Sequence, residues 1–203
     1  MTEKNNHALW IPDTPKNTQM GLFKTQIETQ FECQLEDYAA LHQWSVDHYA
    51  LFWEQVWQFS DIAYSQAPKN IARGGKLFHQ TQWFEGSRLN YAENLLQRRD
   101  KQTAIVSILE NGDRRSFSYQ QLHQQVGALA QHFIALGVGV GDRVAAIVPN
   151  TAEAIIAMLA TTSVGAIWSS CSPDFGMHAA LDRFSQIEPK ILIGVDGYLY
   201  GGK

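Results

Sequence analysis

The sequence predicts an α/β fold, and three observations carry that prediction. Strand-like and helix-like apolar patterns alternate between residues 103 and 195. The segments are punctuated by Gly, Pro, Ser and Thr at positions that start or stop regular structure. Before about residue 100 the chain is rich in Trp and Phe, with helical spacing and no repeated strand pattern. Strands that alternate with helices pair in parallel through right-handed crossovers.

In chain order, the first helical pattern falls near 35–46 and the second near 48–59. In the second, Leu51, Phe52, Gln55, Val56 and Phe59 follow helical spacing. This aromatic stripe reads as packing. Ala67-Pro68 marks a break, and Arg73-Gly74-Gly75-Lys76 reads as a turn. It is not a phosphate loop, because no apolar strand precedes it and no Ser or Thr follows the Lys.

Residues 103–109 form a strand candidate and 115–117 its return. Asn111-Gly112 between them signals a hairpin, with positive φ expected at both central positions. Ser118 stands three residues before Gln121, the capping-box spacing that satisfies free N–H groups at a helix start. Leu122, Val126, Leu129, Phe133 and Leu136 then share one face, and Gly137 ends the helix in a left-handed conformation. A strand is expected over 143–148, stopped by Pro149. A helix capped by Asn150 or Thr151 runs to Val164 and Gly165. A strand over 166–169, a helix over 177–186 and a strand over 190–195 complete the pattern.

Gly137-Val138-Gly139-Val140-Gly141 resembles a dinucleotide glycine loop. It ends a helix and leads into a strand, the reverse of what that loop requires, so it reads as a connection.

Composition excludes several function classes. With 203 residues the chain can bury a real core. Lys plus Arg number 16 and Asp plus Glu number 20, for a net charge of −4. That balance argues against a nucleic-acid binder, which usually carries a basic stripe. Cys33 and Cys171 stand far apart without metal-ligand spacing, which fits reduced thiols in a cytoplasmic setting. No secretory leader pattern opens the sequence, and no apolar run has membrane-spanning length.

The stretch Trp168-Ser169-Ser170-Cys171-Ser172-Pro173-Asp174-Phe175-Gly176 leaves the carboxyl end of a predicted parallel strand. Ligands of open α/β sheets bind outside such ends, and small serines allow close approach. The plainer reading is a capped turn, with Ser172 or Asp174 satisfying the next helix. Cys171 has no identifiable base beside it and is not read as a nucleophile.

These stretches carry a resemblance. LWIPD at 9–13, WFEGSRLNYAENLL at 83–96, the block at 117–176 and LDRFSQIEPKIL at 181–192 resemble the acetoacetate–CoA ligase family of adenylate-forming acyl-CoA synthetases. The resemblance implies a helical N-terminal cap over 1–100. It implies an incomplete AMP-binding domain over 101–203, the first part of a doubly wound, mostly parallel α/β subdomain, truncated. The implied reaction is acid–thiol ligation: acetoacetate and ATP give an acyl-adenylate and diphosphate, and the CoA thiol then releases AMP. ATP, CoA and Mg²⁺ are implied for the complete enzyme, with none expected to bind tightly to these residues.

By the same resemblance, Trp168, Ser169 and Ser170 line the CoA channel. Lys203 falls near the CoA 3′-phosphate, with Tyr200 where a relative carries Arg. No residue is assigned a catalytic or metal-binding role. The Ser/Thr/Gly-rich phosphate loop, the aromatic-Thr-Glu segment, the ribose-binding Asp and the adenylation lysine have no counterpart among these residues. The expectation is a ligase segment that is inactive by itself and self-associates through an exposed sheet edge. The alternative is a non-catalytic module that binds CoA or a protein.

Overall fold

The computed structural model describes residues 10–75 and 77–202. They form two compact units, one through Arg88 and one from Leu89. Among the described residues no helix is long and apolar enough to cross a membrane.

The first unit opens with α1 (Gln19–Gln30), α2 (Tyr38–Asp47) and α3 (Tyr49–Phe59). Side chains of Thr18 and Asp37 cap the first two, accepting from the amides of Gly21 and Ala40. Phe23, Ile27, Leu35 and Leu41 form the core, with Trp44, Phe52, Val56 and Phe59 packed around it. Phe23 meets Phe52 and Phe59 edge-on, at ring separations of 5.7 and 5.1 Å. The aromatic stripe is therefore packing, as its spacing suggested.

β1 (Asn70–Arg73) then pairs antiparallel with β2 (Gln82–Glu85). A short strand thus precedes Gly74, with polar exposed ends rather than the apolar strand a phosphate loop requires. Only a 3-10 turn, Phe78–Gln80, follows, so no helix amino terminus stands there to hold a phosphate. Lys76 of that stretch lies outside the described residues.

The second unit begins with α4 (Tyr91–Leu95), the hairpin strands β3 (Thr103–Ile108) and β4 (Arg114–Ser118), and α5 (Tyr119–Ala135). The hairpin turn differs from the expected two-residue type. Leu109 N–H bonds to Asp113, Gly112 N–H bonds back to Leu109, and only Gly112 has positive φ, at 87°. This is a three-residue loop with glycine in the left-handed position. Ser118 and Gln121 form the expected reciprocal cap, at 3.2 and 2.9 Å. Leu122, Val126 and Phe133 are buried, but Leu136, past the last turn of α5, is 53% exposed.

Next come β5 (Arg143–Ile147), α6 (Ala152–Ser163), β6 (Ile167–Cys171), α7 (Met177–Ser185) and β7 (Ile191–Gly194). All pairing is parallel, in the order β6-β5-β7. The chain therefore steps from β5 to one side, then crosses back over β5 to the other. With right-handed crossovers, this reversal sends α6 and α7 to opposite faces. The cores agree: Val144 packs with Ile156, Leu159 and Ala160 of α6, while its neighbour Ala145 packs with Ala180 and Phe184 of α7. The sheet is covered on both faces, the doubly wound arrangement. Each large apolar side chain buried there contributes about 1.5–3 kcal/mol.

Candidate functional site

A reversal of strand order has a geometric consequence. The loops leaving the carboxyl ends of β5 and β6 diverge to opposite faces, the topology beside which open α/β sheets bind ligands. At the end of β5 stand Pro149, Asn150 and Thr151, the last being the N-cap of α6. At the end of β6 stands the serine-rich stretch. β6 is longer than the sequence suggested, ending at Cys171 rather than Ser169. Trp168 to Cys171, four of the nine residues of that stretch, are strand, held by the ladder to β5.

The register places Ser169 beside Ala145 and Ser170 beside Ala146. Ser169 and Ala145 form a small-residue pair on one face of the sheet and Ser170 and Ala146 a second pair on the other; both alanines are fully buried. Strand alternation divides the candidate residues, however. Trp168 packs against the core on the α6 face, while Cys171 is buried with α7 on the other. Ser170 shares the face of Trp168, and Ser169 shares the face of Cys171. Ser170 is exposed and Ser169 half-buried. The fourth candidate, Lys203, lies outside the described residues.

The turn after β6 is built differently from the expected cap. Ser172 Oγ donates to Asp174 Oδ2 at 2.7 Å, and Phe175 N–H bonds to the Ser172 carbonyl. Gly176, without a side-chain cap, is the N-cap of α7. Ser172 and Asp174 thus bond to each other instead of to the helix. Asp174 also accepts from the Tyr198 hydroxyl. Bonds from Tyr198 and then Ser172 hold its carboxyl below the usual range, outweighing a small desolvation effect. Asp174 in turn pushes the Tyr198 phenol up.

Sequence reasoning passed over a groove of ≈540 Å³ beside this point, lined by Leu109, Glu110, Pro149, Thr151, Tyr198 and Leu199. The signal was present, since Pro149 and Asp196 also follow strand ends. On its hairpin side, Glu110 accepts from the amides of Gly201 and Gly202 at 3.1 and 3.2 Å. On its α6 side, Arg115 pairs with Glu153 at 2.8 Å. Partial burial raises the Glu153 pKa, but bonds from Thr151, its own amide and Arg115 outweigh this and hold the carboxyl low.

A doubly wound sheet whose strand order reverses, as here, defines a class of nucleotide- and cofactor-handling folds. Residues 92–199 match the AMP-binding enzyme family, and residues 38–95 match the acetyl-coenzyme A synthetase N-terminus. The chain belongs to the AMP-binding enzyme family.

Within it, the chain is homologous to acetoacetyl-CoA synthetases. It is 41% identical to the acetoacetyl-CoA synthetase of Macaca fascicularis over 97% of its own length and 30% of that protein's. The solved acetoacetyl-CoA synthetase from Streptomyces lividans superimposes with a TM-score of 0.87 at 39% identity, covering 97% of this chain and 31% of that one. A malonamoyl-CoA synthetase of Penicillium aethiopicum is 37% identical over 96% of this chain and 28% of that protein. The chain thus spans about 30% of the length of the curated relatives it matches.

Proposed function

We propose that these residues form the N-terminal cap and first AMP-binding subdomain of an acetoacetate–CoA ligase. One observation carries the reading: 41% identity to an acetoacetyl-CoA synthetase runs across 97% of the chain, rather than over the AMP-binding portion alone. In the proposed reaction a carboxylate oxygen of acetoacetate attacks the α-phosphorus of ATP and expels diphosphate. The CoA sulfur then attacks the acyl carbon, the thiol proton leaves, and AMP departs. The nucleophilic thiol belongs to the substrate. This suits a chain whose Cys171 is 7% exposed and packed against α7.

The acyl group we propose is a short 3-oxo carboxylate. Acetoacetyl and malonamoyl groups share a carbonyl at the third carbon and differ by methyl against amino. We place Trp168, Ser169 and Ser170 on the wall of the CoA channel, with Lys203 toward the 3′-phosphate. Small side chains at a parallel strand's carboxyl end support this placement. Ser170, exposed and beside Ala146, is the member best placed to touch a narrow pantetheine arm. A cytoplasmic location is the natural companion of this chemistry, supported by two free thiols.

Among the described residues no three His, Cys, Asp or Glu side chains come together as a metal-holding group. The 203 residues by themselves are expected to release no acetoacetate-dependent diphosphate. Turnover above blank by the purified polypeptide would overturn that expectation.

Joined to the remaining length of a relative, the two half-reactions can be measured separately. Ser170→Trp should leave diphosphate–ATP exchange intact while thioester formation falls. Lys203→Ala should raise the KM for CoA more than that for dephospho-CoA. If Ser170→Trp instead abolishes exchange and unfolds the protein, the serine is structural and the channel placement is wrong.

A further inference from the structure

After β7 the chain enters no further helix or strand over 195–200. Side chains anchor this segment at both ends. Tyr198 donates its hydroxyl to Asp174 in the β6–α7 turn. Gly201 and Gly202, with φ of 58° and 76°, aim both amides at the two oxygens of Glu110 in the hairpin loop. The segment therefore runs from the turn after β6 to the β3–β4 loop, and Tyr198 and Leu199 line the groove beside Pro149 and Thr151.

The anchors form one chain of contacts. Cys171 ends β6, Ser172 follows and bonds Asp174, Asp174 receives Tyr198, and three and four residues later Glu110 receives the glycine amides. Both oxygens of each carboxylate are used. These groups are exposed, and exposed polar pairs contribute little to global stability. Their effect is local: they fix where a segment without regular structure lies, and through Asp174 they fix the turn that follows the two serines. The hydrogen bond from Tyr198 to Asp174 holds the carboxyl pKa down and the phenol pKa up.

We propose that Tyr198, Asp174 and Glu110 are positioning residues that strap segment 195–202 across the carboxyl end of the sheet and hold the end of β6 in its channel-lining form. This rests on the ligase reading above, in which the end of β6 faces CoA. None of the three is assigned contact with a reacting atom. Their loss should loosen the thiol-accepting half of the reaction and spare the adenylating half.

Two measurements test the strap. In the 203-residue polypeptide, Tyr198→Phe deletes one hydroxyl and keeps the ring. Amide hydrogen exchange over 172–175 and over 196–202 should rise together, roughly tenfold, with α5 unchanged. Asp174→Asn, which keeps an acceptor, should restore much of the protection that Asp174→Ala loses. Unchanged exchange in Tyr198→Phe, or a rise in one stretch alone, overturns the strap.

In the chain completed with the rest of a relative, Tyr198→Phe and Glu110→Ala should each raise the KM for CoA roughly three- to tenfold. Diphosphate–ATP exchange should stay within about twofold. An unchanged KM for CoA despite faster amide exchange overturns the positioning role, as does an equal fall in both half-reactions. If the completed wild-type chain adenylates acetoacetate but makes no thioester, the ligase reading fails instead. The amide-exchange result then decides the strap alone.

Discussion

Asp142 and Arg143 show how two adjacent side chains can lock the amino-terminal end of a sheet. Asp142 accepts from the Gly139 amide at 2.9 Å and from Lys190 Nζ at 3.0 Å. Arg143 donates to the carbonyls of Ile187, Gly141 and Glu188 at 2.6, 3.2 and 3.0 Å. The turn before β5 is thus tied to the turn before β7. Removing the guanidinium with Arg143→Ala leaves three carbonyls to find water, and the expected cost is about 1–3 kcal/mol by denaturant unfolding. The hydrogen bond from Lys190, then that from Gly139, holds the Asp142 carboxyl below its ordinary pKa. A depressed folded-state pKa means its contribution is complete above the unfolded value and disappears as pH falls through the folded one. Acid unfolding followed by circular dichroism below about pH 4 should therefore be less steep in Asp142→Asn than in the wild type. The same pH series at neutrality should show no difference in slope. The connection role of residues 137–141 was legible from order alone, since Gly137 follows a helix. The Asp142–Lys190 bond was not, because its partners lie 48 residues apart.

At the scale of elements, Asn90 caps two helices at once. Its Oδ1 accepts from Glu93 N–H at the start of α4, while its Nδ2 donates to Thr162 and Ser163 carbonyls at the end of α6. Ala92, fully buried, lies two residues further on, in the first turn of α4. Asn90→Ala loses both the cap and the bridge and should cost about 2 kcal/mol. Ser118→Ala loses only the reciprocal cap of α5 and should cost about 1 kcal/mol. Thermal or denaturant midpoints that rank the two variants the other way would contradict this division. The Ser118 cap was legible because every bond in it spans three residues. α1 was overlooked because Gln, Thr and Lys dominate it and only Phe23 and Ile27 are buried. α7 began where expected, but its expected cap was wrong: Asp174 is taken by Ser172 and Tyr198, and only a tertiary contact could reveal that.

For the molecule as a whole, alternation of strands and helices revealed the α/β class, and the structure adds the order β6-β5-β7. Pairing between strands far apart in sequence leaves no local trace, so the reversal could not be read from residues alone. β6 and β7 are the outer strands of this sheet, and Ile167 and Leu192 on them are 53% and 60% exposed. Open edges with exposed apolar side chains favour pairing with a second copy. The 203-residue polypeptide should therefore self-associate. A monomer by light scattering at high concentration, with no binding of an apolar dye, would count against this. The burial of Cys171 at the end of β6 gives the sheet an intrinsic chemical clock. An alkylating reagent should modify half-buried Cys33 readily and reach Cys171 only when β6 parts from α7. The labelling rate of that single thiol, multiplied out over denaturant concentration, would measure how often the sheet opens without any probe being added to it.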